Sequence, residues 1–213
     1  MINKLKYVLP IANNTSTLNA LQSFRFTSNG YDVDAALAST AMAGFGEWAA
    51  MYSRARTLWM KYNFTITNSD TGGCALFGGF IPGVSLGSTS VGDNYTENRH
   101  WKRKAVGNGM GVSTKSVSGF ATVEGVFGNK GVLTDDTFQY STSSSTLATT
   151  STMVLYAGTA KPLLPVAGFT IQGTIELCIK FERKVALLGE VEGEAHMKRL
   201  RDDRANRYYR RLS

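Results

Sequence analysis

The chain has 213 residues, 43% of them hydrophobic and 11% aromatic, which is enough for one domain with a sizeable core and excludes disorder across the whole chain. Only 18% of residues are charged, 22 are Gly, and Ser, Thr and Asn crowd the middle, the composition of short strands joined by turns rather than of a helical bundle. The formal charge is +7. No run approaches the roughly 18 consecutive apolar residues of a membrane-crossing helix, and residues 1–10 carry Lys4 and Lys6 without a following apolar signal core, so a soluble, unsecreted chain with no membrane partner is expected.

In chain order, residues 1–30 read as an N-terminal arm or first strand, with 4–11 and 23–33 expected to pair. Residues 46–52 form the one helix expected inside the domain, with Trp48, Met51 and Tyr52 as its apolar stripe. Strict alternation follows: Leu58, Met60, Tyr62, Phe64 and Ile66 face a core, while Lys61, Asn63, Thr65 and Thr67 face solvent or a partner. Trp59 breaks this pattern and is a candidate subunit-interface residue. Strands are expected at 75–81, 116–127 and 152–157, separated by long connectors at 83–113 and 128–151. The second connector contains a Ser/Thr tract over 141–151. Phe169, Ile171, Ile175, Leu177, Ile179 and Phe181 alternate with polar residues in a long closing strand. About eight unevenly spaced strands and no internal repeat predict an all-β sandwich over 31–188.

Most of the excess charge lies after this domain, in a basic segment over 189–213. From His196 onward, Lys198, Arg199, Arg201, Arg204, Arg207, Arg210 and Arg211 stand against Asp202 and Asp203, seven charges against two for a net +5. Glu194 with Lys198, and Asp203 with Arg207, are spaced i, i+4 in the order a helix favours, so the tail is expected to be helical. Arginine forks interleaved with Tyr208 and Tyr209 suit phosphates and stacked bases. A solvated or packing helix is the bland alternative. A second cluster, Arg99, His100, Trp101, Lys102, Arg103 and Lys104, follows a polar loop and could face the same polyanion or an acidic neighbour.

The sequence offers little for catalysis. His100 and His196 sit in basic surroundings without an orienting acid, and the nucleophile-elbow, phosphate-loop and dinucleotide motifs are absent. Glu190, Glu192 and Glu194 alternate like the paired acids of a glycosidase strand, but Gly189 and Gly193 interrupt any sheet there. A non-enzyme is expected. Cys74 and Cys178 each lie in an apolar strand-like run and read as buried thiols. Asp135 and Asp136 could ligate a hard cation such as calcium, although turn-capping aspartates are the commoner use of that pattern.

The run from Gly44 to Asn68, a short helix leading into a long strand that ends in Asn, resembles the capsid proteins of small icosahedral viruses. These are the single jelly-roll coats of tombus-like and sobemo-like RNA viruses and of circular Rep-encoding single-stranded DNA viruses. Further matches follow in order: the basic loop ending at Lys104, Met110 to Gly119, the Gly128-Asn129 turn, Thr134 to Phe138, and the closing strand from Gly173 to Arg183. The resemblance covers roughly residues 30–187. It implies an eight-stranded jelly-roll sandwich, a homo-oligomeric icosahedral shell, a packaged single-stranded RNA or DNA genome, residence in the virion with assembly in the host cytoplasm or nucleus, and no cofactor beyond calcium at subunit interfaces, for which Asp135 and Asp136 are a loose match. Trp59, Trp101, the 83–113 connector and the 141–151 tract become candidate subunit contacts. One departure stands out: the family's Arg-rich arm precedes the first strand, whereas here the first thirty residues contain only Lys4, Lys6 and Arg25 and the basic segment is C-terminal. The competing readings are a non-viral jelly-roll binding module, lectin-like or trimeric, and a nucleic-acid-binding protein that does not assemble.

Overall fold

The computed structural model describes residues 1–14, 22–34, 41–68, 73–83, 100–107, 113–143, 153–160 and 169–185. In chain order the elements are β1 (Ile2–Asn14), β2 (Gln22–Thr27), α1 (Phe45–Met51), β3 (Tyr52–Asn68), β4 (Cys74–Pro82), β5 (Trp101–Val106), β6 (Ser113–Thr122), α2 (Val123–Phe127), β7 (Tyr140–Ser141), β8 (Met153–Ala160) and β9 (Phe169–Lys184). One sheet runs β1-β9-β3-β6, with β7 adding a short rung to β3, and the other runs β2-β8-β4-β5. Every pairing is antiparallel. With β7 set aside, the first strand pairs the last, the second the next to last, the third the sixth and the fourth the fifth. That nesting is a long hairpin rolled into two facing sheets, an all-β jelly roll as expected.

Alternation places the core. Met60, Tyr62, Phe64 and Ile66 of β3 are all at most 1% exposed, as are Ile171, Ile175, Leu177 and Ile179 of β9, and they face Phe26, Leu76 and Phe80 from the second sheet. Tyr62 ties the two layers together: its hydroxyl donates to the Gly78 carbonyl at 2.8 Å across the core. Its ring leaves no room for side chains on either flank. A Cβ at Gly119 on β6 would lie 2.5 Å from Tyr62, and one at Gly78 on β4 would lie 2.7 Å from it.

Several expectations need correction. Residues 4–11 and 23–33 do not pair with each other, because β1 joins β9 in one sheet and β2 joins β8 in the other. Residues 1–30 thus supply a strand to each sheet. The strand expected over 116–127 ends at Thr122, whose Oγ1 accepts the Gly125 N–H at 3.0 Å and caps α2. Gly128, at φ 68°, stops that helix. Both connectors hold structure: β5 lies within 83–113, and two 3-10 turns (Lys130–Leu133 and Asp136–Phe138) and β7 lie within 128–151. Of the stripe expected on α1, Trp48 and Tyr52 pack on Phe181, with ring centroids 5.7 and 6.1 Å away, whereas Met51 is 38% exposed.

A β-bulge explains both Trp59 and its neighbours. Against β9 the register passes from Thr57↔Ile179 to Trp59↔Cys178, leaving Leu58 as the extra residue. Beyond the bulge the alternation follows the sequence pattern, and before it the two faces exchange. Arg56 consequently leaves the core side and pairs with Lys180 on the outer side, where the segment after α2 covers it. This arginine is 2% exposed. Its Nη1 donates to the carbonyls of Val132 and of Asp135, the latter at 2.8 Å, while Nη2 stands 3.9 Å from Glu182 and 4.0 Å from Asp136.

Candidate nucleic-acid and subunit contact surfaces

The basic cluster expected on a loop is carried by β5, an edge strand that pairs only with β4 among the described residues. Lys102 and Lys104 stand opposite Gly78 and Leu76, on the core-side face at the open margin of the sandwich, and Arg103 stands on the other face. All three are exposed. The Lys102 ammonium crosses the margin to donate to the Ser118 carbonyl of β6 at 2.8 Å. Lys115 on β6, exposed and opposite Ile66, adds a cation to the same margin. No acidic residue occurs in β5 or β6. Charged residues on an edge also block unwanted strand pairing, so solubility alone would favour them here. Trp101 is spent within the chain: it is 8% exposed, stacks on Phe77 at 5.5 Å and 11°, and fills the space above Gly79. His100 lies at the start of the strand with its Nε2 3.3 Å from the Gly125 carbonyl oxygen.

Trp59 occupies a different place, the outer face of the β1-β9-β3-β6 sheet. It is half-buried, its ring is 5.5 Å from that of Phe120, and the Lys4 ammonium lies 5.8 Å over it. Beside it the register puts Cys178, a free thiol 4% exposed whose pKa is pushed up by burial and drawn back by Lys4. Cys74's side chain lies outside the described residues, as do Arg99 and the whole segment 189–213 with Lys198, Arg199, Arg201, Arg204, Arg207, Tyr208, Tyr209, Arg210 and Arg211.

The aspartate pair acts as turn chemistry. Asp135 Oδ1 accepts the Thr137 N–H at 2.8 Å, which caps the following 3-10 turn and holds its carboxyl below the ordinary carboxylate range. Asp136 turns instead to Arg56 and to Arg183, the latter at 3.7 Å. Two carboxylates with different partners, one facing guanidinium groups, do not fit a calcium ion within a single chain. Among the described residues no three His, Cys, Asp or Glu side chains gather to hold a metal.

Alternation had already put Lys61 toward solvent or a partner, but the outer-face residues Lys6 and Phe120 and the marginal Lys115 were not among the expected contact residues. Each sits on an alternating strand, so its face could be read, but which strands lie side by side could not. No family model matches the sequence, and no curated protein matches it. Among solved structures the chain is similar to one from the semi-empty virus-like particle of the giant freshwater prawn Macrobrachium rosenbergii nodavirus, with a TM-score of 0.53 and 10% identity over 87% of this chain and 85% of that one. It is equally similar to a chain of mud crab tombus-like virus, with a TM-score of 0.53 and 8% identity over 87% and 90%. The chain therefore has the jelly-roll fold seen in chains of these two viral structures.

Proposed function

We propose that the chain is a viral capsid protein, a structural rather than catalytic molecule, which self-assembles into a closed icosahedral shell and packages a single-stranded genome by sequence-independent electrostatic contacts. The observation that carries the reading is the nested two-sheet strand order of a chain whose structural similarity covers 85% of a chain from a nodavirus particle and 90% of one from a tombus-like virus. Charge supports the second half of it. The basic C-terminal segment, together with Lys102, Arg103 and Lys104, supplies cations for phosphate, and neutralising phosphates releases counterions, so affinity falls steeply with salt. Weak subunit contacts suffice because a closed shell sums many of them.

Negative-stain electron microscopy of the purified protein, with nucleic-acid and protein absorbance recorded on the same sample, tests this. Uniform closed shells carrying nucleic acid are expected. Removal of residues 196–213 should lower the nucleic-acid content while leaving the sandwich folded. A nuclease-treated protein that stays monomeric or trimeric at every salt and protein concentration refutes the proposal.

A further inference from the structure

Resting on the reading that this chain packages a single-stranded genome, we infer that the outer face of the β1-β9-β3-β6 sheet is a base-stacking platform for that strand, with Phe120 and Trp59 as its rings and Lys4, Lys6 and Lys61 as its phosphate contacts. The register lays the face out in rows across four strands. One row reads Lys4, Cys178, Trp59, Thr122, the next Lys6, Glu176, Lys61, Phe120, and the third Val8, Thr174, Asn63, Ser118. Phe120 is 56% exposed. Its ring stands 5.5 Å from that of half-buried Trp59, so the two make an aromatic patch on this face rather than a lone exposed side chain. Lys4 and Lys6 are exposed, and Lys61 pairs at 3.7 Å with Glu176, the only acid in these three rows.

Hydrogen-bonding groups adjoin the rings. A shallow cavity of about 290 Å³ is bordered by Lys61, Asn63, Ser118, Thr174 and Glu176, one row along from Phe120. It meets a second of about 370 Å³ at Asn63 and Thr174. A base laid on Phe120 has the Asn63 amide and the Ser118 hydroxyl within its surroundings, and neither demands a particular sequence. Adjacent strands are about 4.8 Å apart, so Lys6 and Phe120, three spacings distant, stand about 14 Å apart across the face. A strand crossing the sheet from Lys6 would thus meet Lys61 and then the ring of Phe120.

Charge decides between this occupant and a second copy of the chain. Cores of protein interfaces are depleted in lysine, whereas rings bordered by lysines and hydroxyls are the composition of single-strand binding surfaces.

The test uses the full chain and a short fluorescein-labelled oligo(U), with anisotropy titrated over a range of salt, for wild type, Phe120→Ala, Phe120→Trp and the double variant Lys4→Gln/Lys6→Gln. Phe120→Ala should weaken binding about tenfold with the salt slope unchanged, and Phe120→Trp should retain wild-type affinity. The lysine double variant should reduce the log–log salt slope by about 1.4, at roughly 0.7 per phosphate contact. Zero-length cross-linking to a 4-thiouridine oligonucleotide should place adducts on the peptide holding Phe120 or Trp59. Wild-type affinity in Phe120→Ala, with adducts confined to 196–213, overturns the inference and leaves the packaging proposal standing. Loss of shell assembly in Phe120→Ala at unchanged affinity assigns the face to a subunit contact and also overturns it. Absence of any binding by wild type removes both readings.

Discussion

Replacing Arg56 by Ala removes a guanidinium that holds the segment after α2 against the outer side of β3. Two carbonyls, of Val132 and Asp135, lose their charged donor, and hydrogen bonds to charged groups contribute about 1.5–3 kcal/mol each. Glu182 stays partnered, by Gln139 Nε2 at 2.6 Å and Lys180 Nζ at 2.5 Å, so the full cost of about 3–5 kcal/mol for stranding a buried charge does not apply. Asp136 is 73% exposed and loses little. Water admitted beside exposed Asp135 recovers part of the cost at its carbonyl, while that of buried Val132 stays dry, which leaves about 3 kcal/mol. The neighbouring Arg183→Ala breaks only an exposed pair and should cost under about 0.5 kcal/mol. Urea unfolding of unassembled protein at high salt measures both variants. Hydrogen exchange locates the effect: the amides of Thr134 and Asp135, which donate to the Gly131 carbonyl, should lose protection while those of β3 and β9 keep it. Equal stability of the two variants would refute the assignment of Arg56 as the clasp of this segment.

Other outcomes follow from the same packing. Tyr62→Phe should cost about 1 kcal/mol by removing the hydroxyl's hydrogen bond to the Gly78 carbonyl, and Gly119→Ala should cost about 2 kcal/mol by overpacking against the same ring, both read by urea midpoints. Burial raises the Tyr140 hydroxyl from 10.0 to about 12, despite its contacts to Thr57 and Gly30. A raised pKa favours the protonated form in the fold, so this contribution is complete below pH 10.0 and is lost as pH climbs toward about 12. Melting curves of wild type should fall across that interval more steeply than those of Tyr140→Phe. Converting Lys102 and Lys104 together to Val should leave the fold intact and raise aggregation measured by light scattering, because it leaves Arg103 as the one charge on the β5 edge.

Much of the architecture was legible because a strand with one buried face writes itself as alternation. Met60 to Ile66 and Ile171 to Phe181 could be assigned a core side from sequence alone, and the turn chemistry of Asp135 was readable as capping. The bulge at Leu58 was not, since one inserted residue exchanges the two faces without any mark in composition, and it is what sends the buried Arg56 outward. The α2 helix did leave a signal, a Thr cap at 122 with Glu124 in the first turn and Gly128 as the stop, but a strand-like apolar run outweighed it. Trp101 shows the limit for contact surfaces. A tryptophan among cations reads as an interface ring, and only the pairing of β5 with Gly79 of β4 reveals a slot in its own sheet that takes the side chain.

The nested pairing also sets a timetable for synthesis. β4 and β5 are close in sequence and can meet early, but Ile2 pairs with Lys180, so the outermost rung waits for nearly all of the described chain to leave the ribosome. Each inner pair shortens the loop that the next must close, which lowers its entropic cost and favours zipping from the centre outward. Until β9 arrives, β1 and β3 both lack a neighbour they will share, and the outer face that spans all three does not exist. A nascent chain therefore cannot present that face before translation has passed residue 184, which couples completion of the polypeptide to competence of the surface it builds.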